Sequence, residues 1–300
     1  MRVRKAGKVT ERVWCLGREE SCIYLLRGDD ESMLISGGTS YIIQDVLDQM
    51  SQFKLNIDKI NKCLILHAHF DHIGVIPYFK RNRPEIEILA SARGWEILNM
   101  PKAISTINES SLRVAERMGA GHVVDRYDLD WSLDIGGGTV GEGDILDLGG
   151  VSAHILETPG HSSCSISAYV PSLKVLFPSD GGGIPYLDTI LPAPNSNFTR
   201  YQESLEKLRA LEVDILCADH YGFITGEEAR GYIALSAETA AERRREMEDV
   251  YERTRDLDKA AKELTDAFFE KYSDYIISPD IMEAVFRQSL RHVASVIDAT

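Results

Sequence analysis

The nine residues Leu66-His67-Ala68-His69-Phe70-Asp71-His72-Ile73-Gly74 place three imidazoles and a carboxylate within six positions, directly after the apolar run Cys63-Leu64-Ile65. The chain has only eight histidines in 300 residues, so composition does not account for the cluster. A strand end running into a loop can turn alternating side chains, here His67 and His69, toward one point, while the adjacent pair Asp71 and His72 aims at a second. Neutral imidazole and carboxylate suit zinc, iron or manganese. Three more candidate ligands follow, each at the end of an expected strand: His161 in ETPGHSS, Asp180 in LFPSDGG and His220 in LCADHYG. Seven ligands are what two neighbouring ions need if one carboxylate bridges them and a water or hydroxide fills the shared position.

The rest of the chain reads as two strand-rich halves followed by helices. RVWCLG, CIYLLRG, SMLISGG and KCLILH read as strands, with an amphipathic helix around YIIQDVLDQM; GVIPYFKRNRP reads as a short helix and IEILAS as a strand. Residues 102–119 and 199–211 carry helical spacing, and DILDLGG, VSAHILETPG, SISAYV, KVLFPSD and DILCADH read as strands. From 226 onward glycine nearly disappears and three helices are expected. The division is therefore 1–225 for a catalytic α/β domain and 226–300 for a helical C-terminal cap.

In its histidine motifs the chain resembles the metallo-β-lactamase-fold superfamily, whose HxHxDH signature stands here as His67-Ala68-His69-Phe70-Asp71-His72. The similarity covers roughly residues 10–225. It implies a four-layer αβ/βα sandwich with the site at one edge of two facing sheets, extended here by the C-terminal helices. It also implies two divalent metal ions, zinc by default with iron or manganese as alternatives. His67, His69 and His161 would hold the first, Asp71, His72 and His220 the second, and Asp180 would bridge. Within the superfamily the chain looks closest to the PqsE-like thioesterases, through LILHAHFDHIGVIPYF, a strand ending ILAS, the helix TRYQESLEKL and the helical C-terminus. Two departures stand out. The usual LIDTG turn is Leu34-Ile35-Ser36-Gly37-Gly38, which removes a supporting carboxylate, and Tyr221 follows His220 where glycine is common.

The similarity implies hydrolysis of an ester-type acyl bond, most concretely a thioester: a hydroxide shared by the two ions attacks the carbonyl, Asp180 orients it and Asp71 assists proton transfer. Tyr221 or Tyr186 could donate to the developing oxyanion. A lactonase is the near alternative, although Gly183 stands where acyl-homoserine lactonases carry a tyrosine. A regulatory protein that binds a partner, with incidental hydrolysis, is the alternative of another class. The substrate expected is a small acyl (thio)ester or lactone, and a homodimer or a protein partner could use the C-terminal helices. Phe198, Ile190, Met282 and Phe286 are candidate pocket walls. His122, His154 and His292 lack ligand spacing, and Cys164 and Cys217 read as buried thiols.

Charge narrows the partners. The formal net charge is −14, and the surplus starts late: residues 1–100 hold 14 basic and 13 acidic groups. Such a balance repels phosphate backbones and anionic membranes, so neither nucleic acid nor membrane is expected as a partner. The acid-rich stretch 123–157 reads as a solvated hairpin region, and Arg243, Arg244 and Arg245, set among acids, as a solvated helix face. Five scattered cysteines without a C-x-x-C pair, and no apolar run of signal or membrane-spanning length, suggest a reduced, cytoplasmic chain.

Overall fold

The computed structural model describes residues 1–275 and 277–299. In chain order the strands are β1 (Arg2–Val3), β2 (Gly7–Lys8), β3 (Val13–Arg18), β4 (Ser21–Arg27), β5 (Ser32–Ile35), β6 (Ile60–Leu64), β7 (Glu87–Ala90) and β8 (Gly138–Thr139), then β9 (Ile145–Asp147), β10 (Ser152–Glu157), β11 (Ile166–Val170), β12 (Val175–Phe177), β13 (Ile215–Cys217) and β14 (Phe223–Thr225). They form two seven-stranded sheets, ordered β2-β3-β4-β5-β6-β7-β8 and β1-β14-β13-β12-β11-β10-β9.

Side-chain alternation along the strands builds the layers, because successive residues point to opposite faces. On β4, Ile23 and Leu25 face helices while Cys22, Tyr24 and Leu26 face the other sheet. On β12, Val175 and Phe177 join the core between the sheets and Leu176 joins the helical side. The outer face of the first sheet is covered by α1 (Ile43–Gln52), α2 (Ile76–Asn82), α3 (Ala92–Leu98), α4 (Pro101–Arg117) and α5 (Gly121–Arg126). The second is covered by α6 (Phe198–Arg209), α7 (Glu227–Thr254), α8 (Leu257–Lys271) and α9 (Pro279–Ile297). This is the expected four-layer αβ/βα sandwich. The C-terminal helices share one continuous core with α6 and the second sheet, including Leu176, Phe198, Tyr232 and Leu290.

Parallel neighbours need long crossovers, which explains where the helices fall. β5, β6, β7 and β8 are mutually parallel and are joined through α1, α2 and the α3–α5 group; β12 and β13 are parallel and joined through α6. Helix starts follow local chemistry. Ser91 accepts from Gly94 N–H, Asn197 from Arg200 N–H, and Asp256 from Asp258 and Lys259 N–H, while Pro101 and Pro279 open α4 and α9. Helices expected at 102–119 and 199–211 occur within two residues of those bounds. β1, β2, β8, β14, α3 and α5 were not legible in the sequence. Among the described residues no helix is long and apolar enough to cross a membrane.

The two sheets touch through backbone bonds at one edge. Ile166 N donates to Leu66 O (2.9 Å), and Cys22 N donates to Asp219 O (2.7 Å). These bonds bring the loop after β6 beside the loops after β10, β12 and β13.

Candidate metal centre

All seven predicted ligands converge at that edge. His67 lies just beyond β6; Asp71 and His72 lie in a 3-10 turn, Phe70–His72, which His69 caps. His161 lies in the loop after β10, Asp180 in the 3-10 turn Ser179–Gly182 after β12, and His220 in the loop after β13. Close backbone approach sets two of these loops. A Cβ on Gly74 would lie 2.2 Å from Ser40 N, and one on Gly160, whose φ is +133°, would lie 2.2 Å from Tyr201 N.

In the first set, His67 Nε2, His69 Nδ1 and His161 Nε2 form a triangle with edges of 3.1, 3.1 and 3.2 Å. Three corners of a tetrahedron with metal–nitrogen bonds of about 2.0–2.1 Å have edges of roughly 3.3 Å. In the second set, Asp71, His72 and His220 bring their ligand atoms within 4.8 Å of one another. Asp180 spans both: Oδ2 lies 3.5 Å from His161 Nε2 and 3.3 Å from His72 Nε2, and Oδ1 lies 3.5 Å from His220 Nε2.

The proton assignment on the outer nitrogens tests whether these residues fit a metal. His161 Nδ1 donates to Ala193 O (2.8 Å), so its Nε2 is a bare lone pair. Ser179 Oγ donates to Asp219 Oδ2 (2.6 Å), so His67 Nδ1 must donate to Ser179 Oγ (3.1 Å), and His67 Nε2 is bare as well. Two lone pairs facing each other at 3.2 Å repel unless a cation lies among them. His220 Nδ1 donates to Glu20 O (2.7 Å), which also frees its Nε2 for the centre. His72 Nε2 is buried with no hydrogen-bond partner among the described residues. The donor set fits divalent metal.

Sequence reasoning missed Asp219. Its Oδ2 accepts from His72 Nδ1 (2.8 Å), Ser36 Oγ (3.1 Å) and Ser179 Oγ, and the residue is 2% exposed. Ser36 therefore does not leave the centre without a supporting carboxylate; that group arrives from beside His220. An acid adjacent to a ligand was the available signal. Ser36, Ser179 and Tyr221 all have positive φ, at 65°, 49° and 62°, so strained backbone gathers around the centre.

Electrostatics divides the two sets. Burial, with the surrounding imidazoles, holds His67 well below its ordinary value; burial and His161 bring His69 down to about 4; burial lowers His161. Burial works against charge on His72 too, but the carboxylates of Asp180 and Asp71 outweigh it and hold that imidazole well above its ordinary value. Burial likewise opposes the charge on Asp180, and His72 and His220 overcome it, leaving the carboxyl well below the usual range.

The centre opens into a cavity of about 820 Å³. Its floor includes His69, Asp71, Asp180 and His220, one wall comes from α4 and the other from α9 with the segment before it. Met282 and Phe286 line it, whereas Phe198 and Ile190, also expected there, lie buried in the helical core, where α6 and the second sheet enclose them. Tyr221 lines the cavity; Tyr186 stands behind, edge-on to Tyr221 at 5.2 Å. Tyr275, which sequence reasoning missed, also lines it, and its hydroxyl feels the charges of Asp180 and Asp71. Burial raises both the Tyr221 and Tyr275 phenols. Cys164 and Cys217 are buried outside the cavity lining, His122 is exposed, and His154 and His292 are half-buried away from the centre.

A family model described as the metallo-beta-lactamase superfamily matches residues 16–220. The metallo-beta-lactamase fold-containing protein ST1585 of Sulfurisphaera tokodaii is 24% identical over 211 residues, covering 69% of this chain and 75% of that one. The crystal structure of a metallo-beta-lactamase family protein, TTHA1429 of Thermus thermophilus, superposes with a TM-score of 0.67 at 19% identity, covering 97% of this chain and 95% of that one. Rubredoxin oxygen:oxidoreductase of Desulfovibrio gigas also superposes, with a TM-score of 0.57 at 15% identity over 83% of this chain and 69% of that one, so one fold serves unlike chemistries. Superfamily members are typically metal-dependent hydrolases. With the family model spanning more than half of its length and the histidine motif inside that span, the chain belongs to the metallo-β-lactamase superfamily.

Proposed function

We propose that this protein is a metal-dependent acyl hydrolase acting on thioesters. The observation that carries the reading is the joining of seven clustered candidate ligands to a largely apolar cavity that two phenols, Tyr221 and Tyr275, also line. When bound, divalent ions supply a water of lowered pKa and polarise a carbonyl. The chain's own residues do the rest. Ala193 O, Glu20 O and Ser179 Oγ hold His161, His220 and His67 at fixed orientation, which removes reorganisation from the reaction. Asp180 reaches both ligand sets and orients the attacking water, and Asp71, the more accessible carboxylate, takes up its proton. A tyrosine is protonated at neutral pH, and burial raises both phenols further, so either can donate to the carbonyl oxygen as charge develops there.

Two observations order the alternatives. At Gly183 a Cβ would lie 2.7 Å from both Ile190 Cγ2 and Ser236 Oγ, so the tyrosine of acyl-homoserine lactonases has no room, which favours thioesters over lactones. In the arginine run, Arg243 pairs with Glu246 (2.7 Å), and Arg244 binds Glu248 and Gln202, so two of three guanidinium groups brace the protein's own helices rather than a partner. The test is thiol release from short acyl thioesters by metal-loaded protein. Activity that His69→Ala abolishes supports the reading, and activity surviving that change overturns it.

A further inference from the structure

We infer that the cleft between α4 and α9 takes a long, uncharged hydrocarbon chain, the acyl part of the substrate; this rests on the acyl-hydrolase reading above. Ile107 and Val114 line the cleft from α4, Met118 from just beyond the end of that helix, and Ile281, Met282 and Phe286 from α9. Met100, Met118 and Ile281 are 43%, 37% and 36% exposed, three of the nine large hydrophobic residues exposed among the described residues, and all three border this one cavity. Single exposed apolar side chains are ordinary, whereas several around one opening mark a binding surface.

The occupant follows from what the cleft adjoins. Its floor is the ligand set, so whatever lies along the walls presents its reactive group to Asp71, Asp180 and His220. The volume of about 820 Å³ lies within the roughly 300–1,000 Å³ of small-molecule sites. The 17 residues of α4 make a wall about 25 Å long, far more than an acetyl group needs. The α9 side chains that line the cavity carry no charge, which suits a hydrocarbon chain along that wall; the cations of the lining, Lys102, Arg117 and Arg243, come from α4 and α7.

The test uses full-length, metal-loaded protein with acetyl, hexanoyl, dodecanoyl and hexadecanoyl thioesters of N-acetylcysteamine, and a dansyl fatty acid as a probe of binding without turnover. We expect kcat/KM to rise by up to about fourfold per methylene until the cleft is filled. Ile281→Lys and Met118→Lys alter exposed positions, so folding is spared; each should lower the dodecanoyl-to-acetyl ratio and weaken the probe about tenfold or more. Equal hydrolysis of all lengths with no probe binding overturns this inference and leaves the acyl-hydrolase reading standing. Probe binding that both lysines weaken, without hydrolysis of any thioester, supports the apolar cleft and overturns the catalytic reading. Neither binding nor hydrolysis overturns both.

Discussion

Asp219 supports one ligand in each set from a single oxygen: His72 directly, and His67 through Ser179. Asp219→Asn removes the charge that keeps Nδ1 of His72 protonated and its Nε2 turned inward. Metal affinity should fall about 10–100-fold, measured by competition with a chromophoric chelator. Protonation separates the two sets further. His67, His69 and His161 lie below their ordinary value, so above about pH 6.5 a metal displaces no proton from them. His72 lies above its ordinary value, so there a metal must displace one. Affinity at the second set should therefore rise about tenfold per pH unit while His72 remains protonated, and that at the first set should stay flat. Dialysis from about pH 8 to about pH 6 should release the second ion first, read as the metal-to-protein ratio. Between the phenols, Tyr275→Phe should lower kcat by about 10²-fold with little change in KM, more than Tyr221→Phe does, because the Tyr275 hydroxyl lies under the influence of both Asp71 and Asp180.

At the scale of elements, the His161 loop rests on the start of α6, with Gly160 O accepting from Ser196 and Asn197 N–H and its α-carbon against Tyr201. Gly160→Ala puts a methyl group into that contact at a φ that L-residues avoid. We expect a stability loss of about 2–4 kcal/mol by denaturant titration, accompanied by loss of metal from the first set. The same loop shows what was legible. β4 and β11 are nearly continuous buried runs of seven and five residues, long enough to read as strands, and α4 and α6 repeat apolar positions over three turns or more. β1, β2 and β8 are two residues long and β14 three, and a period cannot be read from so little chain. The four clustered residues from His67 to His72 were legible because imidazole clusters are rare and their spacing is local; His161, Asp180 and His220 were reached through their strand-end positions and the family resemblance. Asp219 and Tyr275 were not, because what defines them is a neighbour far away in sequence: Ser36 and Ser179 for the first, the ligand carboxylates for the second.

For the whole molecule, the division of the ligands is decisive. His67, His69, Asp71 and His72 follow the first sheet's β6, and His161, Asp180 and His220 follow strands of the second. Binding to both halves at once stabilises the folded state alone, by about 2.7 kcal/mol for each ion at free metal near 100 times Kd. Chelation should therefore lower the melting midpoint by several degrees in calorimetry, and returning the metal should restore it. The turn around Gly143, between β8 and β9, is exposed and separates the four early ligands from the three late ones. Severed there, the protein would become two pieces that share the apolar core between the sheets and divide the candidate ligands, so dissolved metal should tighten their rejoining like an adjustable clasp.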